Sequence, residues 1–222
     1  EDNLLLAFKK ENADKRKQWI VQGIERNEVI EYGAENQVIP FPEFINKDLI
    51  HFSIADCDRS IPNMIDGLKR SQRKIVYAMR KRNNKESKVS QLAGYISSET
   101  CYHHGEVSMM STIINMAQNY VGSNNYNLLK PNGGFGTRLQ GGKDSASPRY
   151  IFSQLSNICL QLFNNDDDKI LTYLNDDGIS IEPEFFVPIL PLVLINGAEG
   201  IGTGFSCNVP CYNPDDIKKC ID

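Results

Sequence analysis

The sequence predicts an α+β fold, a helix-turn-helix with a β-wing, and three observations carry the prediction. Apolar residues recur at helical spacing through three short segments in close succession. The middle segment is strongly basic, with nine Lys/Arg between Lys69 and Lys88 against one acid, Glu86. Further on, residues 123–150 are rich in Asn and Gly, a composition that suits long β-loops, as in a wing, rather than helix.

Taken in order, Leu4-Leu5-Leu6-Ala7-Phe8 is a short apolar run, and the charged stretch from Lys9 to Trp19 reads as helix. Residues 26–50 read as a connecting segment in which Pro40-Phe41-Pro42 breaks any helix. In Arg59-Ser60-Ile61-Pro62 a capping serine with proline two residues on predicts a helix start, and Ile61, Met64, Ile65 and Leu68 then share a face, with Gly67 near the end. A second helix, about Ser71 to Arg82, buries Ile75, Val76 and Met79, with Arg73 and Arg80 on a stripe facing away from them. A third runs from about Val89 to Ser98. The best-formed helix spans Glu106 to Val121, with Met110, Ile113, Ile114, Ala117 and Val121 on one face and Gly122 placed to end it. Ile151 to Phe163 reads as a short extended start followed by helix. The Val/Ile/Leu-rich run Phe185 to Ile195, punctuated by prolines, reads as strands and leads into the glycine-rich Asn196 to Gly204.

Composition bounds the function. With 222 residues the chain is long enough for one or two cores, and 41% apolar content is that of a soluble globular protein. No apolar stretch is long enough to span a bilayer, and the N-terminus lacks a signal peptide's layout. The chain starts at Glu1 rather than Met, as expected of a piece of a longer protein. Six scattered cysteines without a C-x-x-C pair suit reduced thiols, in nucleus or cytoplasm, better than disulfides or zinc. A net charge of −4 would disfavour a nucleic-acid partner only if it were evenly spread. It is not: acids gather at Asp166-Asp167-Asp168, Asp176-Asp177, Glu182 and Glu184, and local density decides where a polyanion docks.

The residues with chemistry to offer cluster around Arg149-Tyr150. The run Gly141-Gly142-Lys143-Asp144-Ser145-Ala146-Ser147-Pro148 cannot be helix and delivers Tyr150 to a loop-to-strand junction. A hydroxyl nucleophile, a permanent guanidinium beside it and Lys143 on the approach suit tyrosine attack on a phosphodiester; an ordinary half-buried strand tyrosine is the alternative. A P-loop fails here, because Thr137 stands where its first glycine belongs and Asp144 follows the lysine. Tyr102-His103-His104-Gly105-Glu106 places two histidines at a helix N-terminus, where free N–H groups favour an anion. Adjacent histidines converge poorly on a metal and no H-E-x-x-H spacing occurs, so no metal ligands are assigned. Ile201, bracketed by Gly200 and Gly202, should project from its loop with little cover, as an apolar wedge for DNA does; a core position is the alternative.

Together these residues resemble a known family. Arg59-Ser60-Ile61-Pro62, Asp66-Gly67-Leu68-Lys69, Gln72-Arg73-Lys74, Tyr102 to Glu106 and Gln118 to Asn125 are similar to the breakage-reunion core of type IIA DNA topoisomerases. So are Phe135-Gly136-Thr137-Arg138-Leu139, Gly141 to Tyr150 and Asn196 to Gly204. The His-His-Gly-Glu and Gly-Gly-Lys-Asp wording points to the eukaryotic topoisomerase II branch. One departure is Arg70-Ser71, where the family usually has Pro-Gly.

The resemblance implies that residues 1–50 are the end of a Toprim-like domain and a connecting segment, 51–163 a winged-helix cleavage domain, and 164–222 the start of an α/β tower domain. It implies that Tyr150 forms a 5′-phosphotyrosyl link with duplex DNA, assisted by Arg149, Arg59 and His104. Lys69, Arg73, Lys74, Tyr102, His103, Ser108, Lys143 and Ile201 are its expected DNA-binding set. Mg²⁺ would come from the Toprim domain of the partner subunit in a homodimer, and ATP would be used elsewhere in the full-length protein. Two other readings stay open at this point: a tyrosine recombinase, which forms a 3′ link, and a winged-helix regulator without catalysis.

Overall fold

The structure, a computed structural model, describes residues 1–31, 33 and 38–221. Residues 32 and 34–37, within the expected connecting segment, and residue 222, at the end of the expected third domain, lie outside the described residues. The fold is α+β, helices with small antiparallel sheets. It divides into two compact units, Glu1–Pro62 with Glu199–Asn208, and Asn63–Ala198 with Val209–Asp222.

In the first unit, α1 (Asp2–Phe8) and α2 (Ala13–Arg26) precede α3 (Phe41–Phe44), which continues through a π-helical stretch, Ile45–Leu49, into α4 (Ile50–Ser60). Pro40-Phe41-Pro42, expected to break a helix, instead begins one. Pro40 is the extended N-cap and Pro42 lies in the first turn, where an N–H has no intrahelical acceptor to lose. Trp19, Ile20, Ile45 and Ile50 form the unit's core. The indole of Trp19 donates to Asn46 Oδ1 at 2.9 Å, so its polar edge is satisfied.

The second unit is built on α5 (Arg70–Lys81), α6 (Val89–Glu99) and α7 (Glu106–Ala117). Against them lies an antiparallel sheet of β1 (Ser87–Lys88), β2 (Leu129–Asn132) and β3 (Phe152–Leu155), in the order β1-β3-β2. The register pairs Ser87 with Ser153 and Leu129 with Leu155. Pro131 sits on edge strand β2, where its missing N–H costs no ladder bond. Ile75, Val76 and Met79 meet Leu92, Ile96, Met109, Ile113, Leu129, Ile151 and Leu155 in one core. Then follow in the chain α8 (Asn157–Leu162), the hairpin β4 (Tyr173–Asp176) and β5 (Ile179–Pro183), α9 (Leu192–Asn196), the hairpin β6 (Ala198–Ile201) and β7 (Ser206–Val209), most of which belongs to the first unit, and α10 (Pro214–Ile221).

Three expected elements differ. No helix starts at Ser60, which is the last residue of α4; residues 61–69 form a turn. Asn63 Oδ1 accepts from the Ile65 N–H and Asp66 Oδ1 from the Leu68 N–H, each at 2.9 Å. Short polar side chains have taken the donors a helix would use, and Gly67 completes the reversal at φ +68°. Helix α7 stops at Ala117 rather than Val121, and its buried stripe runs Met109, Ile113, Ala117 instead of through Met110. Finally, Phe185 to Ile195 is not strand: Pro188 and Pro191 lack ladder donors, and Pro191 caps α9.

Candidate functional site

Tyr150 ends a turn and is 76% exposed, while its neighbour Ile151 is 1% exposed in the core. The tyrosine is therefore held from behind. Its N–H donates to Ser147 O at 2.9 Å, and the N-terminus of α6 grips the same segment, Ser90 N–H to Pro148 O at 3.1 Å and Val89 N–H to Ile151 O at 3.0 Å. Arg149 beside it is exposed, as is Lys143. The half-buried strand tyrosine is thus excluded.

The approach loop is bolted rather than loose. Gln118, the buried residue that ends α7, donates from Nε2 to Phe135 O at 2.9 Å and to Gly142 O at 3.2 Å. Tyr120 donates to its Oε1 at 3.2 Å, so the amide is used at both ends. Asp144 accepts from the N–H and the hydroxyl of Thr137, each at 2.8 Å, and these bonds hold its carboxyl below the usual range. In the sequence Gln118 and Asp144 stand inside motifs without a role of their own. A polar residue at the end of an apolar helix stripe was the available signal.

Tyr102, His103, His104 and Ser108 surround the N-terminus of α7. His103, His104 and Ser108 are exposed. The Tyr102 hydroxyl donates to Ser108 Oγ at 3.4 Å, and its ring meets His104 edge-on at 5.2 Å. This turn and Tyr150 flank opposite ends of α6: Tyr102 N–H bonds Ser97 O near the C-terminal end, whereas Pro148 is tied to Ser90. The helix has 11 residues, a rise of about 16 Å. Within one chain the structure therefore does not bring His104 to Tyr150.

The basic helix corrects two expectations. Arg73 and Lys74, expected as DNA-backbone contacts with Arg73 facing away from the core, are both only 5% exposed. Arg73 makes a two-pronged pair with Asp66, at 2.7 and 3.1 Å, and also donates to Leu68 O at 3.0 Å. Lys74 Nζ lies 2.8 Å from Glu182 and 2.5 Å from Thr100 O. Arg70 Nε reaches the same Glu182 at 3.2 Å. Asp66 and Glu182 are fully buried, so drawing either cation out to a phosphate would strand a carboxylate in the interior. Arg80 likewise turns inward to Asp168 at 2.9 Å. Lys69, the N-cap of α5, is partly exposed, and its N–H is taken by Gln72 Oε1 at 2.9 Å.

Arg59 and Ile201 belong to the first unit and share a cluster there. Arg59, in the last turn of α4, lies 2.9 Å from Asp56, whose other oxygen accepts from Thr203 Oγ1 at 2.9 Å. Burial pushes the Asp56 carboxyl up, but the Thr203 hydroxyl and the Arg59 guanidinium outweigh it and hold it below the usual range. Ile201 is 76% exposed, which excludes the core alternative. Gly200 is glycine for a further reason: a Cβ there would collide with Ser60 O and meet Pro62 Cδ at 2.8 Å.

Among the described residues no group of three His, Cys, Asp or Glu side chains could hold a metal ion, and no helix is long and apolar enough to cross a membrane. Residues 59–222 match the DNA gyrase/topoisomerase IV family in its A-type chain, and residues 1–57 the C-terminal associated domain of TOPRIM. The chain belongs to the type IIA DNA topoisomerases, eukaryotic topoisomerase II branch. It is 53% identical to human DNA topoisomerase 2-alpha over 226 residues, 97% of this chain and 15% of that protein. With Arabidopsis thaliana DNA topoisomerase 2 the identity is 54% over 213 residues, 96% of this chain and 14% of that one. The Plasmodium falciparum topoisomerase II DNA-binding, cleavage and re-ligation domain superposes with a TM-score of 0.85 at 46% identity, covering 98% of this chain and 30% of that one. The chain thus spans about one-seventh of its curated relatives' length.

Proposed function

We propose that this chain is the cleavage portion of an ATP-dependent, homodimeric type II topoisomerase. It cuts and reseals duplex DNA so that one duplex passes through another. The observation that carries this reading is Tyr150, exposed beside an exposed Arg149 at the end of a braced loop. Tyr150 Oη attacks a backbone phosphate; the new O–P bond forms as the P–O3′ bond breaks, the phenol gives up its proton and the 3′ oxygen takes one. One phosphodiester replaces another, so resealing needs no external energy. Arg149 offers planar donors to the charge that develops on the phosphoryl oxygens.

An ordinary phenol, of pKa ~10, is mostly protonated at neutral pH and needs a base or an electrostatic bias to attack. Because α6 separates His104 from Tyr150, His104 is assigned to the phosphate attacked by the tyrosine of a second copy. The site is then complete only in the dimer. Arg59 is the assigned cation of the first unit, oriented by Asp56, and Ile201 is assigned to wedge between base pairs. Lys69, Lys143, Tyr102, His103 and Ser108 make up the proposed DNA-facing set, whereas Arg73 and Lys74 are reassigned to hold the fold.

The same reading takes residues 1–50 as the end of a Toprim-like domain and connecting segment, 51–163 as a winged-helix domain and 164–222 as the start of a tower domain. The Mg²⁺ of this reading finds no fitting ligand set in the chain's described residues. The Toprim domain of the partner subunit is its proposed holder, and no step above runs through it. ATP acts elsewhere in the full-length protein, which works in the nucleus or cytoplasm. The test is Tyr150→Phe in the full-length protein. Loss of one hydroxyl and no charge should abolish cleavage while duplex binding stays within a few-fold. Residual relaxation, or a 3′- rather than 5′-linked adduct in the parent, would overturn the assignment.

A further inference from the structure

The hairpin β4–β5 lies outside the helical trio, yet one of its acids reaches the turn that carries the histidines and a second reaches it through Lys74. From β5, Glu182 holds Lys74, and Lys74 Nζ in turn donates to Thr100 O at 2.5 Å. Thr100 is fully buried and opens the turn; Cys101 follows at φ +48°, a left-handed conformation that a non-glycine residue adopts only when held. From β4, Asp176 Oδ2 lies 3.1 Å from His103 Nε2. The turn 100–104 is thus pinned at its start by a buried ion and at His103 by a partly exposed one.

We propose that β4–β5 is a brace for this turn and that Asp176 is the positioning residue that fixes His103 for the DNA phosphate. A carboxylate can only accept, so Nε2 must carry the proton it shares. With Nε2–H committed to Asp176, the ring presents its Nδ1 edge to the substrate, and that edge donates to a phosphate oxygen when it too carries a proton. The two anchors divide the work. Glu182, by way of Lys74, sets where the backbone of the turn lies, and Asp176 sets how one ring on it points. Arg70, which also pairs with Glu182, extends the same grip to the first residue of α5. The charge lost to these pairs is charge the basic run does not offer to DNA.

The proposal rests on the topoisomerase reading, and its test is a double-mutant cycle in the full-length dimer. Cleavage and duplex affinity are measured for Asp176→Asn, Asp176→Glu, His103→Ala and Asp176→Asn/His103→Ala, with Tyr150→Phe as the reference. Asp176→Asn should slow cleavage about three- to ten-fold with an unchanged melting temperature, because the pair is exposed. Asp176→Glu should restore the rate to within two-fold. In the His103→Ala background, Asp176→Asn should do nothing further. An equal effect in both backgrounds, no effect in either, or failure of glutamate to restore the rate would overturn the brace. Cleavage that survives Tyr150→Phe would instead overturn the underlying reading, so the two failures are distinguishable.

Discussion

Arg73 and Arg80 stand seven residues apart on α5, and both turn inward although both carry full charge. Periodicity alone put them on the solvent side, because a helical wheel knows nothing of partners elsewhere in the chain. Asp66 comes from a turn that the sequence reads as helix, and Asp168 lies 88 residues beyond Arg80. Tyr150 was legible for the opposite reason: glycines and a proline before it declare a loop, where an aromatic side chain has few places to hide. Ile201 is exposed as expected, but as the last residue of strand β6 rather than on a loop. The contrast can be measured. Arg73→Ala should cost about 3–5 kcal/mol in denaturant unfolding, because it leaves Asp66 buried and unpaired. A DNA-contact role would weaken binding at unchanged stability. Ile201→Ala should do the reverse of Arg73→Ala, leaving the melting temperature in place and reducing the DNA bend seen by fluorescence transfer.

Helices α5 and α6 fall where apolar spacing puts them, since each ends in polar residues that find partners: α5 in Lys81 and Arg82, and α6 in Glu99 and the buried Thr100, whose hydroxyl donates to Ile96 O and whose carbonyl accepts from Lys74. Helix α7 ends earlier than its apolar residues suggest, and the cause is one side chain. Gln118 leaves the helix to reach the carbonyls of Phe135 and Gly142, and Val121 is then carried into the exposed turn beyond. No local pattern announces that, because the acceptors lie 17 and 24 residues away. The same holds for 61–69, where Asn63 and Asp66 convert an apparent helix into a turn. The bolt itself predicts a phenotype. Gln118→Leu should leave both carbonyls buried without a donor and cost about 1–3 kcal/mol. Limited proteolysis should cut faster near Gly141-Gly142, and cleavage of DNA should slow even though Tyr150 is untouched.

At the scale of the molecule, the basic run that suggested a polyanion partner is partly spent inside the fold. Of its nine cations, Arg70, Arg73, Lys74, Arg80 and Lys81 pair with acids of the same chain. The other four are Lys85 and Lys88, both exposed, and Lys69 and Arg82, both partly exposed, and they are joined by Arg138, Lys143 and Arg149 from the loop beside Tyr150. Phosphate contacts set the salt dependence of binding, at roughly 0.9 in the log–log slope per contact on duplex DNA. The chain alone should therefore bind duplex weakly and lose affinity with salt, as anisotropy titrations from low to moderate ionic strength would show. Lys143→Ala should lower that slope by about one. Lys74→Ala should leave the slope unchanged and lower the melting temperature instead, because its charge belongs to Glu182. A slope that drops equally for both would mean that Lys74 leaves the interior to meet DNA. The same preparation should not cleave DNA however much Mg²⁺ is added, since its described residues include no group of three or more His, Cys, Asp or Glu side chains placed to hold the ion. Magnesium-dependent nicking that disappears with Tyr150→Phe would show that one chain suffices, and the two-copy site would then have to be abandoned.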